Sequence, residues 1–141
     1  MGAWARVALL SAGGVLGVNA RYWLSLWVSR WADPLFPWGT FIVNVSGSFA
    51  VGFLSVALTN RLPHPQARLF VVTGFLGGYT TFSAFMLETL SLWEREAMGR
   101  AAAYALGSLA AGLLAVVLGV GLARGVVPER PLADAAAVDP R

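Results

Sequence analysis

Three groups of residues at helical spacing carry the chemistry of this chain, and all lie inside apolar runs. Thr40, Asn44, Ser48 and Gly52 recur at every fourth position, so they share one face of a helix. Tyr104, Ser108 and Gly112 repeat that spacing, while Phe82, Phe85 and Glu88 are three apart on another helical face. Hydroxyls, one amide, a phenol, aromatic rings and, at Glu88, one carboxylate are what these groups offer. A phenyl ring has a negative face and a positive edge. Phe82 and Phe85 can therefore turn edges toward an anion, with Asn44, Tyr104 and Ser108 replacing part of its water shell. Such a site favours a small anion with a strong demand for hydrogen bonds. The alternative for Asn44 is hydrogen-bonding glue between helices.

Ahead of the phenylalanines runs Thr73-Gly74-Phe75-Leu76-Gly77-Gly78-Tyr79-Thr80-Thr81. Three glycines and two adjacent β-branched threonines weaken helix, so the chain is expected to break between Gly77 and Thr81. At membrane depth an unwound backbone must have its carbonyls satisfied. A hard cation such as Na⁺ would do so, and so would a neighbouring helix; the residues leave both open.

Other chemistries lack their residues. No nucleophile, base and orienting group stand together as an enzyme requires, and no glycine-rich phosphate loop opens a soluble helix. The only histidine, His64, sits between Pro63 and Pro65 and reads as a solvated loop residue. Without cysteine there is no disulfide framework and no thiolate metal site.

The elements that position these groups are membrane spans. Of the 141 residues 57% are hydrophobic and only 12% charged, and the mean hydropathy is +0.68, too apolar for a soluble domain. Apolar runs of about 20 residues, enough to cross a hydrocarbon core of about 30 Å, are expected near 4–28, 38–58, 69–93 and 101–123. The first run is too long for a cleavable signal. Gly13, Gly14 and Gly17 give the first span a small surface that another helix can approach closely. Residues 1–127 then form one four-helix transmembrane domain, and 128–141, rich in proline, alanine and scattered charge, form a disordered tail.

The basic residues are all arginine and the net charge is +3. In a membrane protein this excess serves loop ends and lipid headgroups, not nucleic acid. Arg6, Arg61, Arg68 and Arg124 fall on the side of both termini, with Arg130 and Arg141 in the tail; Arg21, Arg30, Arg95 and Arg100 fall on the other. The balance is nearly even, so the positive-inside rule votes weakly. Such a chain could insert both ways, and two copies in opposite orientation could form an antiparallel homodimer. Arg21 reads equally as an interfacial anchor and as a positive charge at a pore mouth.

The block from Gly74 to Phe85, followed by Glu88, resembles the signature of the CrcB/Fluc fluoride channel family. Gly13-Gly14-Val15-Leu16-Gly17 leading to Arg21-Tyr22 is similar to its first helix, and the stretch from Pro37 to Ser48 to its second. The resemblance covers about the first 120 residues. It implies four transmembrane helices with the third broken at its midpoint, in an antiparallel dual-topology homodimer with two fluoride pores. It further implies a structural Na⁺ at the dimer centre, held by backbone carbonyls of Gly77 and Thr80. Phe82, Phe85, Asn44, Tyr104, Ser108 and Thr40 would line the pore, with Arg21 and Glu88 as charges near its ends. Tyr79 and Ala84 depart from the family's frequent residues; the first change is expected to be harmless, and the second removes one hydroxyl near the pore.

The expected function is passive export of fluoride across the inner or plasma membrane. HF crosses bilayers, dissociates inside and is trapped as the anion, so an exit pore lowers the load. A small multidrug-type proton-coupled antiporter, also four helices, is the alternative, but it wants a membrane-embedded acid in the first span, and that span has none. A non-transporting subunit would leave the Thr40-Asn44-Ser48 stripe and the phenylalanine pair without a purpose.

Overall fold

The computed structural model describes residues 1–60 and 64–128. The expected disorder of the tail beyond 128, and Arg61, Arg130 and Arg141, lie outside the described residues. Within them the chain is all-helical. Helix α1 is Ala3–Ser29 and α2 is Trp38–Asn60. The third span, Pro65–Glu94, has two parts: α3, residues 65–79, and α4, Phe82–Glu94. Helix α5 is Met98–Val126. The four spans have 27, 23, 30 and 29 residues. At about 1.5 Å per residue each exceeds a hydrocarbon core of about 30 Å.

Local chemistry sets the ends. After α1, Asp33 turns the chain by accepting the Leu35 N–H at 2.9 Å, and Pro37 stands immediately before α2. After α4, Glu96 takes the left-handed conformation usually given to glycine (φ 59°). The N–H of Ala97 reaches back to Leu92 and that of Glu96 to Trp93, so these two carbonyls near the helix end are satisfied.

Two seams of backbone contact hold the spans. A Cβ on Gly13 would come within 2.5 Å of the Phe70 carbonyl oxygen, and one on Gly17 would run into that of Phe75. On the facing helix, a Cβ on Gly74 would meet Gly13 and one on Gly78 would meet Gly14. Helix α1 and residues 69–79 are thus zipped by glycine. A second seam joins α2 to α5, where Gly52 faces the Val116 carbonyl and Gly119 that of Phe49. Small residues let helix backbones touch where lipid supplies no hydrophobic drive.

Residues Leu69–Leu76 wind in wide π-helical turns, a rare geometry that is frequent at functional sites. The third span therefore starts against α1, unwinds, and ends as α4 against α5. There Phe85, Leu92, Ala101 and Tyr104 form a buried cluster, with Phe36 and Phe41 packed on it. Elsewhere the apolar side chains point outward: Val15, Leu109, Leu113 and Leu118 are all more than half exposed. Only 11–22% of an apolar 18-residue stretch of each span is buried within the chain, which leaves wide apolar faces for a bilayer or a second copy. The protein is a multi-pass integral membrane protein.

Candidate functional site

The break is narrower than its sequence suggested. Gly77–Tyr79 keep a helical turn, and only Thr80 (φ −81°, ψ 155°) and Thr81 (φ −149°, ψ 117°) are extended. The glycines that weaken helix here are needed for close approach, Gly74 and Gly78 lying against α1, and packing overrides propensity. Asn44 of α2 holds the break open. Its Nδ2 donates to the Thr81 carbonyl at 3.0 Å, and its Oδ1 accepts the Thr81 N–H at 2.9 Å. The Thr81 N–H is the donor that a continuous helix would give to Gly77. Among the described residues, no backbone N–H from outside that turn reaches the carbonyls of Gly77, Gly78, Tyr79 or Thr80.

Thr80 itself is tied back, its N–H and its Oγ1 both donating to Leu76 at 3.0 Å. Thr81 then caps α4, its Oγ1 accepting the Ala84 N–H at 3.3 Å. Gly47 of α2 has no side chain for good reason, since a Cβ there would collide with the Thr80 methyl.

Beside the break a cleft of about 570 Å³ opens at mid-span, lined among others by Asn44, Ser48, Thr81, Phe82, Phe85 and Ser108. The Ser108 hydroxyl is buried and has no hydrogen-bond partner among the described residues. Phe82 and Phe85, with ring centroids 5.7 Å apart, divide their surroundings: Phe85 is 4% exposed and Phe82 68%. One ring belongs to the core and the other stands at the chain's surface.

Toward the α4–α5 turn a second cleft, about 530 Å³, is lined by Ser25, Ser29, Thr40, Glu88, Arg95 and Arg100, among others. A short polar cluster lies between the two clefts. Phe85 packs against fully buried Tyr104, centroid to centroid 5.2 Å. The Tyr104 hydroxyl donates to Glu88 Oε2 at 2.6 Å, and Thr40 Oγ1 donates to Glu88 Oε1 at 2.7 Å.

The expected site residues thus fall into separate places. Asn44, Phe82, Phe85 and Ser108 share the mid-span cleft. Thr40, Tyr104 and Glu88 form the cluster beyond it, so Glu88 is tied to two donors within the bundle. Gly77 and Thr80 sit at the break, and Arg21 is half-buried on α1 and lines neither cleft. Three features were missed: the pair of hydrogen bonds between Asn44 and Thr81, the placing of Arg95 and Arg100 in the lining of the second cleft, and the 2.8 Å hydrogen bond between Tyr79 and Ser46. Only the arginines had a signal, as the basic residues flanking the turn into α5. Among the described residues no group of three or more His, Cys, Asp or Glu is placed to hold a metal ion.

The family model "CrcB-like protein, Camphor Resistance (CrcB)" matches residues 2–120. A protein of Agrobacterium fabrum named "Fluoride-specific ion channel FluC" is 46% identical over 121 residues, which are 85% of this chain and 97% of that one. Proteins of the same name are 44% identical in Rhizobium meliloti, over 86% of this chain and 98% of theirs, and 44% in Roseiflexus sp., over 84% and 96%.

Proposed function

The chain belongs to the CrcB family, and from that membership we propose that it is a passive, fluoride-selective channel which lets cytoplasmic fluoride leave the cell. The observation that carries the reading is the Ser108 hydroxyl, buried without a partner in a mid-span cleft beside Phe85 and Asn44. An unmade hydrogen bond to a buried hydroxyl costs about 1–3 kcal/mol. A dehydrated anion removes that cost, and hydrogen bonds to a charged group contribute about 1.5–3 kcal/mol each. A larger anion spreads its charge and gains less from each donor, so a cleft built of donors and ring edges prefers fluoride to chloride.

The path runs from the arginine-lined mouth to the mid-span cleft. Arg95 and Arg100 draw anions into the mouth. Thr40 and Tyr104 then exchange their Glu88 partner for the passing ion, since both of their hydroxyls are spent on that carboxylate. Asn44, Ser108 and the edges of Phe82 and Phe85 take it onward. Arg21 lies outside both clefts and acts as an anchor or a distant positive charge.

The working unit is an antiparallel homodimer with a structural Na⁺ at its centre. Support comes from the break: the unpaired carbonyls of Gly77 and Thr80 lie at membrane depth, and Gly77 is exposed on the single chain. Lipid cannot satisfy them. Carbonyl oxygens are hard ligands of the kind that suit Na⁺, and two copies would contribute four. The ion would neutralise the carbonyl dipoles and fix the two breaks against each other.

The test is efflux from liposomes loaded with fluoride or chloride. Rapid fluoride efflux with chloride retained is expected; equal efflux, or none, overturns the reading. Replacing Na⁺ with N-methyl-D-glucamine throughout purification should dissociate the dimer, and an unchanged dimer would remove the cation.

A further inference from the structure

We propose that Ser48 is a further anion-contacting residue, the last hydrogen-bond donor of the pathway before its wall turns apolar. The inference rests on the channel reading and extends it by one helical turn.

Ser48 follows Asn44 by four residues on α2 and lines the same cleft as Ser108 and Thr81. Its neighbour across the cleft is bare backbone. A Cβ on Gly112 of α5 would lie 3.5 Å from Ser48 Oγ, and among the described residues no other atom beyond its own helical turn comes within 4 Å of that point. That distance is ordinary van der Waals contact, so a methyl-sized space lies beside the serine hydroxyl and is open to a small guest.

The behaviour of the other hydroxyls on α2 gives this placement its meaning. Ser46, Ser55 and Thr59 fold back onto carbonyls of their own helix, at 2.6, 3.0 and 2.7 Å. Thr40 donates to Glu88. That is how hydroxyls on a membrane helix are ordinarily satisfied. Of the hydroxyls on this helix, Ser48 alone makes no hydrogen bond among the described residues, and Ser108 across the cleft makes none either. Two unspent donors thus share one cleft.

Beyond them the lining is Val51, Val72, Leu113 and Val116. An ion travelling that way must regain water where protein donors end. Ser48 stands at this boundary and replaces one water of the shell until the others return. Its absence would make the boundary the highest step on the path.

The experiment compares fluoride efflux from liposomes holding the full-length protein, Ser48→Ala, Ser48→Val or Ser48→Thr, over a series of fluoride concentrations and with chloride as control. Threonine and valine have the same shape and differ by the hydroxyl, so that pair separates hydrogen bonding from bulk. Ser48→Ala and Ser48→Val are expected to lose flux by about tenfold, the size of one hydrogen bond to a charged group. Ser48→Thr should recover most of the loss. Ser48→Ala at the parent rate overturns the proposal, as do Thr and Val variants that are equally slow. If the alanine variant does not purify as a single species, the Thr and Val pair decides. No fluoride flux from the parent protein would sink the channel reading and this inference together. Parent flux with an unaffected Ser48→Ala removes Ser48 alone.

Discussion

Replacing Asn44 tests both the break and the pathway. In Asn44→Ala the Thr81 N–H and C=O lose their partners, now at 2.9 and 3.0 Å. Each unmade bond costs about 1–3 kcal/mol, so the native arrangement loses about 2–6 kcal/mol before relaxation. The relief open to Thr81 is to give its N–H to Gly77, four residues back, continuing the helix through the break. That would cover the Gly77 carbonyl and rotate α4 on its axis. Asn44→Ala should therefore unfold at lower denaturant, conduct poorly and no longer respond to exchange of Na⁺ for N-methyl-D-glucamine. Asn44→Asp keeps an acceptor for the Thr81 N–H but sets a second oxygen against the Thr81 carbonyl. It also places a negative charge beside the pathway. At about 4 Å and an effective dielectric of about 20, two like charges repel by about 4 kcal/mol, or about a thousandfold in rate. Fluoride flux should be nearly abolished. Denaturant titration and liposome efflux read the two effects separately. Parent-like stability in Asn44→Ala together with parent-like flux in Asn44→Asp would refute the reasoning.

Ser108→Ala should separate stability from activity, because it removes a hydroxyl that has no partner. Stability is expected to hold or rise by about 1 kcal/mol while flux falls about tenfold; intact flux would take Ser108 off the path. Phe82→Ile alters a ring that is 68% exposed, so its unfolding midpoint should not move, whereas efflux should drop sharply if the ring edge meets the ion. Gly17→Ala pushes a methyl into the Phe75 carbonyl, and overpacking of this kind costs about 1–3 kcal/mol. Gly121→Ala, in open space, is the control and should be neutral or slightly stabilising; equal effects at both positions would contradict the glycine seam.

Much of the scaffold was legible because membrane spans announce themselves by length and hydropathy. The expected runs near 4–28, 38–58, 69–93 and 101–123 became Ala3–Ser29, Trp38–Asn60, Pro65–Glu94 and Met98–Val126, extended at most ends by a few flanking residues. Gly13 and Gly17 were read as a close-contact surface, and both meet backbone. The break was found but drawn too wide, since a glycine that weakens helix cannot be told by type from one that lets a neighbour in. The π-helical turns at Leu69–Leu76 have no residue signature. Periodicity put Phe82 and Phe85 on one face, yet a partly buried face has a middle and an edge, and the pair divides between them. Glu88 was placed on the phenylalanine face by its spacing and near a pore end by the family resemblance. Its two partners are 48 and 16 residues away in sequence, a juxtaposition that only tertiary packing creates. Tyr79, read as a harmless departure, has a hydrogen bond to Ser46 that spacing could not disclose.

The crossing of the third span from one glycine-zipped pair to the other limits how this protein can move. The link is Thr80 and Thr81, both already extended. Extended backbone spans about 3.3–3.6 Å per residue and cannot be drawn out further, so the tether has no slack. The two pairs cannot swing apart like doors to admit an ion. Opening between the clefts is therefore an event on the scale of side chains, a matter of rotating Tyr104, Glu88 and Thr40 within a frame that stays shut. Passage of a bare halide ion asks for no more room than that.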